Sequence, residues 1–114
     1  METKLKYMFL IYGPDTAQLP ADTPVISPGF AAYLETLKTA GILRAADRLR
    51  SVQTATSVRV RDGKTEVMDG PYADTKETFG GYITVETASM DEALDWAARC
   101  PAAEIGFIEV RPMA

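Results

Sequence analysis

With 114 residues, 46% hydrophobic and 25% charged, the chain has the size and composition of one globular core, and two independent cores would be hard to build from it. We therefore expect a single domain over residues 1–114, and the net charge of −4 opposes attraction to phosphate backbones, so nucleic acid is not an expected partner. The sequence contains no histidine, which removes Ser-His-Asp and Cys-His catalysis, His-ligated haem and zinc, and His-Asp dyads together.

Met1-Glu2-Thr3-Lys4 leads into a strand pattern and not a signal peptide. No run approaches the roughly 18 uncharged apolar residues of a membrane span, so a cytoplasmic protein without a membrane partner is expected. Leu5, Tyr7, Phe9 and Ile11 alternate with Lys6, Met8, Leu10 and Tyr12, a period-two strand whose middle is apolar on both faces. After a loop rich in Pro and Asp from Gly13 to Pro24, Ser27 and Pro28 suit the N-cap and first position of a helix. Phe30, Tyr33, Leu34 and Leu37 come next at helical spacing, and Gly41 supplies the stop. Ile42 to Arg50 is ambiguous, because Ile42-Leu43 starts like a strand while Ala45-Ala46 favours helix; a short strand plus turn is the expectation.

Ser57 to Arg61 and Lys64 to Met68 flank Asp62-Gly63, the strongest short-range signal for a two-residue hairpin turn. Pairing Arg61 with Lys64 then sets Val58 opposite Val67 and Arg59 opposite Glu66. Phe79 to Thr87 carries Gly81, Ile83 and Val85 on one face and Tyr82, Thr84 and Glu86 on the other, as for a strand inside the sheet. Gly80-Gly81 lacks the context of a phosphate loop and suits a bulge or close backbone contact. Ser89-Met90-Asp91-Glu92 is a capping box, and the helix behind it should bury Met90, Ala93, Leu94 and Ala97 until Pro101 ends it. Ile105 to Arg111 is read as the last strand. Cys100, the only cysteine, excludes an intrachain disulfide and suits a small buried residue.

This order is strand, helix, strand or hairpin, strand, helix, strand: an α+β, ferredoxin-like βαββαβ sandwich on an antiparallel sheet. Two helices cover only one face of that sheet. The other, with Met8, Leu10, Tyr12, Tyr82 and Phe107 among Glu86, Glu109 and Arg111, is too apolar to stay wet. A second copy packed sheet to sheet, a homodimer, is the economical cover.

For chemistry, the segment Asp69-Gly70-Pro71-Tyr72-Ala73-Asp74-Thr75-Lys76-Glu77 packs turn-formers with ionisable residues between the hairpin and a central strand. Gly70 permits a left-handed backbone or close approach of a ligand, and Pro71 stiffens the next residue. Asp69 at the strand end suits a general base or hydrogen-bond acceptor, and equally a turn in which it bonds only neighbouring amides. Lys76 and Glu77 either orient a carboxylate-bearing or hydroxylated ligand or form an ordinary exposed pair. Five of the seven arginines lie between Arg44 and Arg61, a positive balance that draws a small anion into a cleft or dresses a solvated hairpin, with Arg59 committed to Glu66. Glu109 and Arg111 line a pocket between sheets or pair across the interface. Acidic residues show no Asp-x-Asp or EF-hand spacing, so neither metal nor cofactor is expected.

Tyr7-Met8-Phe9-Leu10-Ile11-Tyr12, Thr56 to Gly63, Asp69 to Glu77, Gly80-Gly81-Tyr82 and Ile108-Glu109-Val110-Arg111-Pro112 together resemble the YCII-related, or DGPF-domain, family, with Tyr72 standing where the family name has Phe. The resemblance implies a dimeric α+β barrel with the Asp-Gly-Pro loop beside a cleft formed with the dimer. There Asp69 is the candidate catalytic residue, and Tyr12, Gly70, Pro71 and Tyr72 are candidate ligand contacts together with Lys76, Glu77 and Arg111. One branch of the wider family looks like an enzyme group using a His-Asp pair, and that mechanism does not transfer to a chain without histidine. Members are also associated with extracytoplasmic-function sigma factors, which implies a regulatory or accessory role as the alternative to binding or transforming a small polar or anionic metabolite.

Overall fold

The computed structural model describes residues 4–18, 27–71 and 75–114. Strand β1 (Leu5–Gly13) leads through a 3₁₀ turn (Thr16–Gln18) to helix α1 (Pro28–Thr39) and strand β2 (Leu43–Arg48). A second 3₁₀ turn (Val52–Thr54) precedes the hairpin strands β3 (Thr56–Arg61) and β4 (Lys64–Asp69). Strand β5 (Thr78–Thr87), helix α2 (Met90–Ala98), the one-turn helix α3 (Ala102–Ile105) and strand β6 (Phe107–Pro112) complete the order. The main sheet runs β2-β5-β1-β6 with antiparallel neighbours, an α+β arrangement compatible with the ferredoxin-like expectation.

The alternation in β1 decides which side is core. Tyr7, Phe9 and Ile11 are buried and, in the register of β1 with β5, Tyr7 and Phe9 lie opposite the equally buried Val85 and Ile83. Helix α1 lays Phe30, Tyr33 and Leu37 on this face, and α2 adds Ala93 and Ala97. Each helix starts as its sequence indicates. The Ser27 hydroxyl accepts from the Phe30 amide at 3.2 Å, and Ser89 accepts from Glu92 at 3.1 Å while the Glu92 carboxylate accepts from Ala88 at 3.0 Å. Tyr33 ties the two helices together by donating its hydroxyl to the Trp96 carbonyl at 2.6 Å. Cys100 is buried in the same core, and that burial pushes its thiol pKa up, as befits an inert structural residue.

One open expectation is settled and two are corrected. The segment from Ile42 forms the short strand expected, β2, with Ala45 and Ala46 opposite Thr84 and Ile83; it is an edge strand of the main sheet, and the hairpin forms a separate two-stranded sheet. Leu94 is 47% exposed, because the buried stripe follows Ala93 and Ala97, and a residue one place on is turned about 100° away. Ile105 does not open the last strand. Pro101, tolerated in a first helical turn for lack of an N–H, starts one more turn closed by the Gly106 amide on the Ala102 carbonyl at 3.0 Å, which leaves Ile105 72% exposed.

The hairpin has the read register, Arg61 opposite Lys64 and Val58 opposite Val67, and Asp62 and Gly63 both take positive φ, 53° and 75°, as a two-residue type I′ turn requires. It projects as an arm. The radius of gyration, 16.2 Å, exceeds the about 13 Å of a compact chain this long, while the smallest dimension is only 19 Å. One layer of helices on one layer of sheet accounts for that thickness, and the sheet face carrying Met8, Leu10 and Tyr12 lies away from the helices. No helix among the described residues is long and apolar enough to cross a membrane.

Candidate ligand-binding cleft

A single irregularity builds the floor of the site. Strict alternation along β5 would send Phe79 to the helix side with Gly81, Ile83 and Val85. Instead the register shifts between Ile11 and Tyr12, so Ile11 faces Gly81 but Tyr12 faces Phe79, leaving Gly80 as the extra residue of a bulge. Directly opposed residues share a face, so Phe79 joins Tyr12 on the open side. Tyr12 stacks on Phe107 of the next strand, ring centroids 4.7 Å apart at 8°, and meets Phe79 at 5.6 Å. An aromatic row therefore crosses β5, β1 and β6 at one end of the sheet.

The wall beside it is the segment from Leu49 to Ala55. Leu49 donates its amide to the Gly80 carbonyl at the bulge, 2.9 Å. Asp15, 7% exposed, then pins the 3₁₀ turn: Oδ2 accepts from the Ser51 hydroxyl at 2.6 Å and Oδ1 from the Val52 amide at 3.0 Å. The Ser51 bond, helped by the amides of Val52, Ala17 and Thr16, outweighs burial and holds the Asp15 carboxyl below its ordinary pKa. The arm's root closes the third side. Gly70, at φ 97°, donates to the Ala55 carbonyl at 2.7 Å and accepts from the Ser57 hydroxyl at 2.8 Å; a side chain at that φ would be strained.

These parts enclose a cleft of about 510 Å³ lined by Tyr12, Leu49, Arg50, Ser51, Val52, Thr54, Ala55, Pro71, Thr75, Thr78 and Phe79. A smaller hollow of about 70 Å³ adjoins it through Tyr12, Leu49, Arg50, Thr78 and Phe79, backed by Asp15, Arg48 and Ile105. Arg50 is the cation of the larger cleft, and no carboxylate stands among its described lining residues. The ion pairs among the described residues, Arg44 with Glu86 at 3.3 Å and Arg59 with Glu66 at 2.6 Å, do not involve it. Arg48 instead lies 5.5 Å over the Phe30 ring.

Of the site residues expected from sequence, Tyr12 and Pro71 line this cleft together. Gly70 stands at its edge with its amide and carbonyl engaged in the arm. Asp69 ends β4 opposite Thr56, exposed, and is not among the lining residues. Lys76 and Glu77 are exposed ahead of β5. Arg111 lies opposite Met8, about 13 Å along β6 from Phe107 at a strand rise near 3.3 Å. Tyr72 lies outside the described residues. Sequence reasoning does not single out Arg50, Phe79 or Asp15. The arginine-rich segment is visible in the sequence, but which arginine faces a cleft depends on the β2–β5 pairing; Phe79 needs the bulge, and Asp15 reads as loop.

The chain is thus an α+β protein with a four-stranded antiparallel sheet, helices on one face and, at the end of the other, a cleft whose described lining includes the cation Arg50. The family model of the YCII-related domain matches residues 5–114, and the chain belongs to that family. It is 44% identical over 77 residues to uncharacterized protein R00369 of Rhizobium meliloti (strain 1021), a match covering 66% of this chain and 62% of that relative, less than two thirds of its length.

Proposed function

We propose that this protein binds a small anionic metabolite in the cleft between the aromatic row and the root of the arm, with Arg50 taking the anionic group and Tyr12 and Pro71 bounding the ligand. The observation that carries this is a guanidinium with no ion pair among the described residues, set in a wall whose other described side chains are uncharged, in a chain whose net charge is −4. A cation there concentrates anions despite the overall charge. Asp69 stands outside the cleft wall, so in this reading it reaches a ligand only from the rim. The test is a thermal-shift screen of small organic acids against wild type, Arg50→Gln and Asp69→Asn. Stabilisation lost in Arg50→Gln supports the reading; no stabilised wild type, or hits indifferent to Arg50, removes it.

The cleft opens on the uncovered sheet face, and the proposal includes a homodimer packed through that face as a dimeric α+β barrel. Met8, Leu10 and Tyr82 are only partly buried within one protomer, which supports such a cover. Sedimentation should return twice the chain mass; a monomer at tens of micromolar contradicts it.

A second reading is favoured by the arm. Val58, Val60 and Val67 are 66%, 58% and 64% exposed, and Val58 and Val67 share one face, which suits a protein contact. In that reading the chain is a non-catalytic accessory module, for instance of an extracytoplasmic-function sigma factor. Co-purification of a sigma factor that is lost in a Val58→Asp/Val67→Asp variant supports it; recovery of this chain alone counts against it.

A further inference from the structure

We infer that the ligand of this cleft is a monocarboxylate carried on a flat, apolar ring, and not a phosphate or a sugar. The inference rests on the proposed anion site and sharpens it through the donors the cleft has left to offer.

Of the five hydroxyls that line the cleft, four give their proton to the protein, while that of Tyr12 makes no hydrogen bond among the described residues. Ser51 donates to Asp15 at 2.6 Å, Thr54 to the Ser51 carbonyl at 2.7 Å, Thr75 to the Glu77 carbonyl at 2.6 Å and Thr78 to the Gly13 carbonyl at 3.3 Å. The backbone amides of the turn are engaged as well. Val52 donates to Asp15, Gln53 to the Ser51 hydroxyl at 3.1 Å, and Thr54 and Ala55 to the carbonyls of Ser51 and Val52 at 2.9 and 3.0 Å. A phosphate or a polyol recognised by protein needs several convergent donors, whether amides of a nest or hydroxyls. Here the donor groups not already engaged among the described lining side chains are the Tyr12 hydroxyl and the guanidinium of Arg50. The planar fork of the guanidinium matches a single carboxylate, which it can hold through two parallel bonds.

The remaining wall is apolar: Leu49, Val52, Ala55 and Pro71 face the aromatic pair Tyr12 and Phe79. A polar ligand body would lose its hydration against these groups without replacement, whereas a ring loses little and gains contact with aromatic neighbours. The volume of about 510 Å³ falls within the roughly 300–1,000 Å³ of small-molecule sites, enough for a bicyclic acid. Asp15 contributes by holding the Ser51–Val52 turn in place, its two oxygens already occupied by the turn.

Isothermal titration of the full chain with 2-naphthoate, 2-naphthamide, inorganic phosphate and glucose 6-phosphate tests this, using wild type, Arg50→Gln, Arg50→Lys and Phe79→Ala. Wild type should bind 2-naphthoate at least tenfold more tightly than 2-naphthamide. Arg50→Gln should erase that ratio, with Arg50→Lys retaining part of it, and Phe79→Ala should weaken both naphthyl probes several-fold. Because Arg50 is exposed, its variants should unfold at the wild-type temperature, which separates loss of binding from loss of fold. If phosphate or glucose 6-phosphate binds more tightly than 2-naphthoate and needs Arg50, the anion site stands and the ring-acid inference is overturned. If no probe depends on Arg50, both fall.

Discussion

Replacing Asp15 with Asn tests how the cleft wall is held. The carboxylate accepts at 2.6 Å from the Ser51 hydroxyl and at 3.0 Å from the Val52 amide, in a residue 7% exposed. An amide keeps the shape but offers one accepting oxygen, so its NH2 must face one of two groups that now donate. If the NH2 faces Ser51, the hydroxyl, which already takes the Gln53 amide, must accept on its second lone pair and give up its own bond to residue 15. Hydrogen bonds to a charged group are worth about 1.5–3 kcal/mol, so Asp15→Asn should cost about 2 kcal/mol. With about 0.24 kcal/mol/K of unfolding entropy for a chain this long, Tm falls by roughly 8 °C. The pH dependence distinguishes this cause from a packing defect. The folded-state pKa of Asp15 lies below its ordinary value of 3.8, so its contribution is complete above that value and is lost as pH falls through the lower folded-state pKa. Calorimetry of both proteins at one concentration should show the gap at its full size near neutrality and shrinking in acid. A gap that stays constant through the acid range, or a variant as stable as wild type near neutrality, would refute the account of the wall.

The other elements give independent tests. Leu37 is fully buried between α1 and the sheet, so Leu37→Ala should cost about 2–5 kcal/mol in denaturant unfolding; a loss below about 1 kcal/mol would mean that α1 does not dock as described. Gly70→Ala, at φ 97°, should cost about 1–2 kcal/mol and speed proteolytic nicking at the arm's root; unchanged nicking would deny that Gly70 secures it. Tyr33→Phe removes the bond to the Trp96 carbonyl at 2.6 Å and leaves that carbonyl with the Arg99 amide alone, so about 1 kcal/mol should be lost; a neutral result would mean water or motion replaces it.

Local signals carry much of the fold. The Ser27-Pro28 start, the capping box at Ser89 and the Asp62-Gly63 turn each depend on a few adjacent residues, and each stands at its expected position. The features that local signals leave open or misplace are set by more distant packing. Ile42 to Arg50 has mixed propensity, and only alignment of Ala45 and Ala46 against β5 makes it a strand. The extra turn before Gly106 moves the start of β6 by two residues, past a proline that reads equally well as a stop or a start. The site is legible as a neighbourhood: Tyr12 and Pro71 are in the wall. Its cation and second aromatic are not, because a one-residue bulge at Gly80 decides where Phe79 points, and alternation alone predicts the opposite side.

The most direct test of the central claim is a crystal structure of the full chain grown with 2-naphthoate. Two carboxylate oxygens about 2.7–3.0 Å from the Arg50 guanidinium, with the ring between Phe79 and Pro71, is the predicted result. The acid bound elsewhere on the chain, with Arg50 turned to solvent, would contradict it.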